Sequence, residues 1–176
     1  PFLHLILQSQ PPLAVVNTIL SAVERYMGED LTPDESVNVR KQTPLHVACY
    51  SQCSADIIRR LIEGRSGMIP AICRDEDGRF PLHLLFMADH MGPLNQVMDI
   101  VNQLLDCDCF VAHAADSYDN TPLDYARAKR VNDRIIDLLL EARIHLDDDD
   151  RQPDDGEQSV KARPIPGAVE CLSLIH

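Results

Sequence analysis

Histidine and cysteine are the side chains here best equipped for chemistry, with seven and six copies in 176 residues. His46, Cys49 and Cys53 fall at i, i+3 and i+7, one face of a helix from which a metal could be held. A structural zinc site closes with four ligands, and no fourth follows at zinc spacing. Cys49 instead fits a small apolar slot after Ala48, and the helix should end before Cys53. Cys107-Asp108-Cys109 is too tight for a zinc knuckle and puts Cys107 at a helix end. His46 and His83 occupy the same place in a recurring hexapeptide. Catalysis would need a nucleophile or carboxylate beside each, and a repeated His reads instead as a repeated structural job. There is no Gly-rich phosphate loop, no Gly-x-Ser-x-Gly and no His-Glu-x-x-His. The expectation is a chain that is not an enzyme and takes no metal or cofactor.

The hexapeptide itself must position these histidines. Its clearest copy is Thr43-Pro44-Leu45-His46-Val47-Ala48, followed by Phe80-Pro81-Leu82-His83-Leu84-Leu85 and Thr121-Pro122-Leu123-Asp124-Tyr125-Ala126. A worn copy, Pro1-Phe2-Leu3-His4-Leu5-Ile6, opens the chain. Each copy precedes two apolar pairs: Val15-Val16 and Ile19-Leu20, Ile57-Ile58 and Leu61-Ile62, Ile100-Val101 and Leu104-Leu105, Ile135-Ile136 and Leu139-Leu140. Thr43 is an N-cap whose hydroxyl can accept from an orphan N–H, and Pro44 fits the first helical position. Ser54 is set to cap a second helix, Ala55 to Glu63, with Gly64 as its C′ residue. Its paired apolar residues share one face. The unit is helix, short turn, helix.

From motif to first apolar pair is 14 residues in repeats one, two and four, and 20 in repeat three. The six extra residues are expected as a loop at Asp89-His90-Met91-Gly92-Pro93-Leu94, where Gly92-Pro93 breaks the helix. Between units lie turn residues, Thr32-Pro33-Asp34, Asp75-Glu76-Asp77-Gly78 and Asp116-Ser117-Tyr118-Asp119-Asn120, which read as extended fingers. Thr121 and Asp124 form a capping box. Phe80 cannot accept a cap hydrogen bond and should lose about 1 kcal/mol unless it packs apolar surface instead.

Repeated in register, these motifs resemble the ankyrin repeat, which pairs a β-turn finger with two antiparallel helices and carries T-P-L-H-x-A. Asp75 and Gly78 match the family's turn Asp and Gly; Asp116 matches, Asp119 replaces the Gly, and in repeat two Asn38 and Lys41 replace both. Motif spacings of 42, 37 and 41 exceed the usual length of about 33, with the surplus assigned to fingers and the one insertion. The resemblance implies an all-α solenoid of stacked helix-turn-helix units. The expected domain runs over 1–146, with repeats at about 1–36, 37–73, 74–114 and 115–146. It also implies that the histidines hydrogen-bond across adjacent repeats.

The formal net charge is −12, and half of it sits at Asp147–Asp150, Asp154, Asp155 and Glu157 against one Arg151. Residues 147–176 therefore read as an acidic, disordered tail. Leu172-Ser173-Leu174-Ile175-His176 reads as translated adapter sequence and is set aside. Pro1 falls inside a motif copy, so the chain reads as a piece of a longer protein. No basic stripe supports nucleic-acid binding, and no apolar run reaches the roughly 20 residues of a membrane span. Cysteines within apolar helical segments fit a reducing, intracellular and cytoplasmic setting.

A stack buries its core between neighbours and offers a long concave face, so the expected function is protein–protein interaction by a monomer. The alternative is a regulatory segment of a larger enzyme or channel. By the resemblance, partner contacts fall on finger and late first-helix positions: Arg40, Gln42, Tyr50, Ser51, Glu76, Asp77, Arg79, Met87, Tyr118, Asn120 and Lys129.

Overall fold

The computed structural model describes residues 2–26, 37–63 and 70–149. Among them are eight α-helices, arranged as four pairs: α1 (Phe2–Gln8) with α2 (Leu13–Tyr26), α3 (Pro44–Tyr50) with α4 (Ala55–Ile62), α5 (Pro81–Met87) with α6 (Leu94–Cys107), and α7 (Pro122–Ala128) with α8 (Asp133–Asp149). The first helices pack as a row, α1 on α3 on α5 on α7, and the second helices form a parallel row behind them. One apolar core runs the length of the stack, through Leu7, Leu45, Leu82 and Leu123 in front and Ile57, Ile100, Ile135 and Leu139 behind. The fold is the all-α solenoid expected from the repetition.

The repeated motif begins each helix for physical reasons. Pro44, Pro81 and Pro122 stand in the first turn, where a missing N–H costs nothing. Thr43 accepts from the His46 N–H at 3.4 Å, and His46 Nδ1 accepts the Thr43 N–H at 3.1 Å. Thr121 and Asp124 close the same box with a carboxylate. Phe80 makes no side-chain cap; it is buried, with the Arg74 guanidinium 4.5 Å above its ring. Ser54 stands at the cap position of α4 but makes no capping hydrogen bond.

Three first helices end alike. Gln10, Gln52 and Arg130 take φ of 51°, 55° and 54°, the left-handed C′ conformation that glycine usually occupies. In repeat two the Cys53 N–H reaches the Ala48 carbonyl at 3.0 Å, closing a Schellman turn. The left-handed Gln52 then clamps the repeat-three insertion. Its Nε2 donates to the Leu85 carbonyl at 2.9 Å and its Oε1 accepts the Gly92 N–H at 3.1 Å.

Three expectations are corrected. The insertion is not all loop: α6 begins at Leu94, so four of the six extra residues form an added helical turn and two lengthen the connection. It is stabilised by Val97, which extends the buried stripe of Ile100, Val101 and Leu104. The surplus before the last two fingers does not lengthen them. It forms short 3₁₀ turns, Pro70–Ile72 packed on α4, α5 and α6, and Cys109–Ala112 packed on α6 and α8. Finally, α8 continues to Asp149, past the boundary drawn at 146. Thr32–Asp34, Gly64 and residues 150–176 lie outside the described residues.

Candidate protein-interaction surface

The fingers are three copies of one hydrogen-bonded turn. Asn38, Asp75 and Asp116 each accept, through one side-chain oxygen, the N–H groups two and four residues on: Arg40 and Gln42, Asp77 and Arg79, Tyr118 and Asn120. Lys41, Gly78 and Asp119 hold the left-handed position at φ 56°, 73° and 61°. Asn38 and Lys41 thus perform the roles that the sequence assigned only to Asp and Gly, because an amide oxygen accepts as a carboxylate does and the αL strain is tolerated. Adjacent fingers are joined by backbone: the Glu76 N–H to the Arg40 carbonyl at 3.0 Å, and the Ser117 N–H to the Asp77 carbonyl at 2.9 Å.

Gly78 is required at that junction. A Cβ there would meet Ser117 Oγ at 2.9 Å and the Ser117 nitrogen at 3.3 Å. Gly78→Ala is therefore expected to cost about 1–3 kcal/mol, the αL penalty plus the crowding. A urea melt checks this; an unchanged midpoint would contradict the finger packing.

Charged and aromatic side chains knit the fingers further. Arg40 approaches Glu76 at 3.8 Å across two exposed side chains. Arg79 reaches Asp77 at 2.6 Å and Asp116 at 3.4 Å, and lies 5.2 Å over the Tyr118 ring. Tyr125 donates its hydroxyl to Asp116 at 2.7 Å. Burial works to raise the Asp116 carboxyl, but the Tyr125 hydroxyl, the Asn120 and Tyr118 N–H groups and Arg79 outweigh it and hold it below the carboxylate range. Asp116 and Tyr125 were not among the expected surface residues. Tyr125 was visible as the one polar-tipped residue at the place of Val47 and Leu84.

The histidines bridge repeats. His4 Nε2 donates to the Gln42 carbonyl at 2.8 Å, and His46 Nε2 to the Arg79 carbonyl at 3.0 Å. His83 Nδ1 accepts the Phe80 N–H at 3.1 Å, while its Nε2 faces the Asn120 and Ala114 carbonyls short of hydrogen-bond geometry. Burial lowers His46 and His83 to about 4. Cys53 Sγ lies 3.3 Å from the Leu7 carbonyl, and burial pushes its thiol up to about 11. Burial, then the neighbouring Cys53, pushes Cys49 up as well. Neutral imidazoles engaged in structure and protonated buried thiols are poor nucleophiles. Among the described residues no three His, Cys, Asp or Glu side chains gather as a metal site, and no helix is long and apolar enough to cross a membrane.

The expected contact residues fall into two groups, at opposite ends of first helices about 10 Å long. Arg40, Gln42, Glu76, Asp77, Arg79, Tyr118 and Asn120 lie together on the fingers. Arg79 is mostly engaged within them, and Gln42 bonds Asn38 at 3.0 Å. Tyr50, Ser51, Met87 and Lys129 lie at the far end, beside the helix-to-helix turns. The Ser51 carbonyl accepts from Gln10 at 2.6 Å, and Lys129 Nζ donates to the Ala88 carbonyl at 2.6 Å. Between them Met87, Lys129, Phe86, Tyr125 and Ala128 line an open cleft of about 300 Å³. Ala128 stands where repeats two and three carry Tyr50 and Met87, and its small side chain leaves the space.

Paired helices stacked in one register, with turns along one edge, define a helical-repeat solenoid. The family described as Ankyrin repeat matches residues 40–70, which take in most of the repeat-two finger, α3 and α4. Residues 40–70 are thus similar to an ankyrin repeat, and they form one unit in a row of four helix pairs. Ankyrin repeats as a class are a non-catalytic fold that serves protein–protein interaction. A search of curated proteins found no match.

Proposed function

We propose that this stack captures a protein partner on the surface formed by its fingers and the exposed ends of its first helices. The observation that carries this reading is the finger row itself. Three identical turns, bonded backbone to backbone, hold Arg40, Glu76 and Tyr118 outward on a frame already ordered. An ordered frame binds without the entropy cost of arranging loops. Tyr50, exposed at the other end of α3, is the aromatic anchor, since desolvated Tyr and Arg dominate interface energetics. The binding unit is the row of helix pairs that ends with α8 at Asp149, acting as a monomer. Its buried thiols suit a reducing, cytoplasmic compartment.

Tyr50→Ala with Glu76→Lys tests the surface. Both side chains are exposed, and the Arg40–Glu76 pair is too solvated to matter for stability. Affinity capture from an extract should lose its partner by tenfold or more, about 1.4 kcal/mol, with an unchanged melt. Recovery of the same proteins in the same yield would sink this choice of surface. Arg79→Ala is not a clean probe, because its guanidinium ties two fingers together and its loss would lower the melt.

A further inference from the structure

Glutamine stands twice where glycine is usual. Gln10 and Gln52 hold the left-handed residue two places past α1 and α3, at φ 51° and 55°. Glycine takes that conformation without strain, so a larger residue there needs its reason in the side chain. In both copies the side chain reaches the next repeat. Gln10 Nε2 donates to the Ser51 carbonyl at 2.6 Å, and Gln52 Nε2 to the Leu85 carbonyl at 2.9 Å.

The Gln52 clasp holds more than its counterpart does. Its Oε1 also accepts the Gly92 N–H at 3.1 Å, so one amide grips the lengthened α5–α6 connection on both sides, at Leu85 and at Gly92. Gln96, in the first turn of α6, ties back with Nε2 on the Gln52 and Cys53 carbonyls at 3.3 and 3.2 Å. Gly92 permits this closeness: a Cβ there would meet Gln96 Nε2 at 3.3 Å and Gln52 Oε1 at 3.4 Å. From repeat four, Lys129 Nζ holds the Ala88 carbonyl at 2.6 Å. Asp89 and His90 lie between these fixed points, and both are exposed. They follow closely on Met87, which lines the cleft with Lys129. An exposed segment fixed on both sides meets a partner without the cost of being ordered on binding.

We infer that Gln52 is a positioning residue for partner binding: it holds Asp89 and His90 beside the cleft as a further polar part of the partner surface. The inference rests on the binding role proposed above. Gln52 itself is 9% exposed, so it acts through the connection it grips and not by contact.

Gln52→Gly in the full chain tests this, because it removes the clasp and suits the left-handed backbone. The strain relieved opposes the hydrogen bonds lost, so the melt should move by less than about 3 °C. Amide exchange at Gly92 in the free protein should quicken tenfold or more, while Gly78, bonded to the Asp75 carbonyl, should keep its rate. Capture from the extract should fall tenfold or more. Asp89→Ser with His90→Ser should lose capture equally, yet leave Gly92 exchange and the melt as in the parent, since both side chains are exposed. A parental exchange rate at Gly92 in Gln52→Gly would overturn the inference, and so would full capture by either variant. Capture that survives Tyr50→Ala with Glu76→Lys but not Gln52→Gly would sink the finger surface and leave this assignment standing. The reverse pattern would sink this assignment alone.

Discussion

Leu45→Asp is expected to unfold the whole stack in one step. Leu45 is 1% exposed on α3, which packs on α1 at one side and α5 at the other. Removing its side chain costs about 2–5 kcal/mol for lost burial and the cavity left behind. Placing a carboxylate there adds several more, because among the described residues no Lys or Arg is buried to receive it. The sum rivals the total stability of a domain, about 5–15 kcal/mol. In a repeat stack each unit leans on its neighbours, so loss at the second repeat spreads. Circular dichroism at 222 nm should show no folded baseline at 25 °C; a melt like that of the parent would refute the packing.

Acid should unfold the protein well before its carboxylates are all neutral. His46 and His83 have folded pKa values near 4, against 6.5 when free, because burial disfavours the imidazolium. Between those values the unfolded chain binds protons that the folded chain does not. Their contribution is complete above pH 6.5 and is lost as pH falls toward 4. Each histidine contributes a slope of about 1.4 kcal/mol per pH unit across that window. Asp116 and Asp124 are held low, so their stabilisation is also lost as pH falls further, in the same direction. Urea midpoints at pH 7.5, 6.5, 5.5 and 4.5 should be nearly level at first and then drop steeply. His83→Gln, which keeps an acceptor for the Phe80 N–H without titrating, should flatten the drop by about one proton. Midpoints independent of pH from 7.5 to 4.5 would show that the histidines are not buried as described.

Much of this architecture was legible in local spacing. Thr43 with Pro44, Thr121 with Asp124, and Cys107 at a helix end all follow from hydrogen bonds and dihedrals spanning a few residues. The extra turn of α6 was legible too, in Val97-Ile100-Val101-Leu104 at helical spacing, but Gly92-Pro93 drew attention to the loop. That pair marks the start of a helix and not the middle of an insertion. The finger of repeat two was hidden because Asn38 and Lys41 do by chemistry what Asp and Gly usually do, and single letters do not show it. The surface was the least legible. Arg79 read as a partner contact, yet it is engaged by Asp116, 37 residues on, and by Tyr118. Such pairings are set by how one repeat is placed on the next.

Binding of a partner through the finger edge and first-helix ends is what we propose for this stack. Amide hydrogen exchange of the captured complex tests it most directly. With the captured partner purified and added in excess, protection should rise at residues 38–51, 75–87 and 116–129, and stay unchanged in α2, α4, α6 and α8. Protection confined to the second helices, with the fingers exchanging as in the free chain, would contradict it.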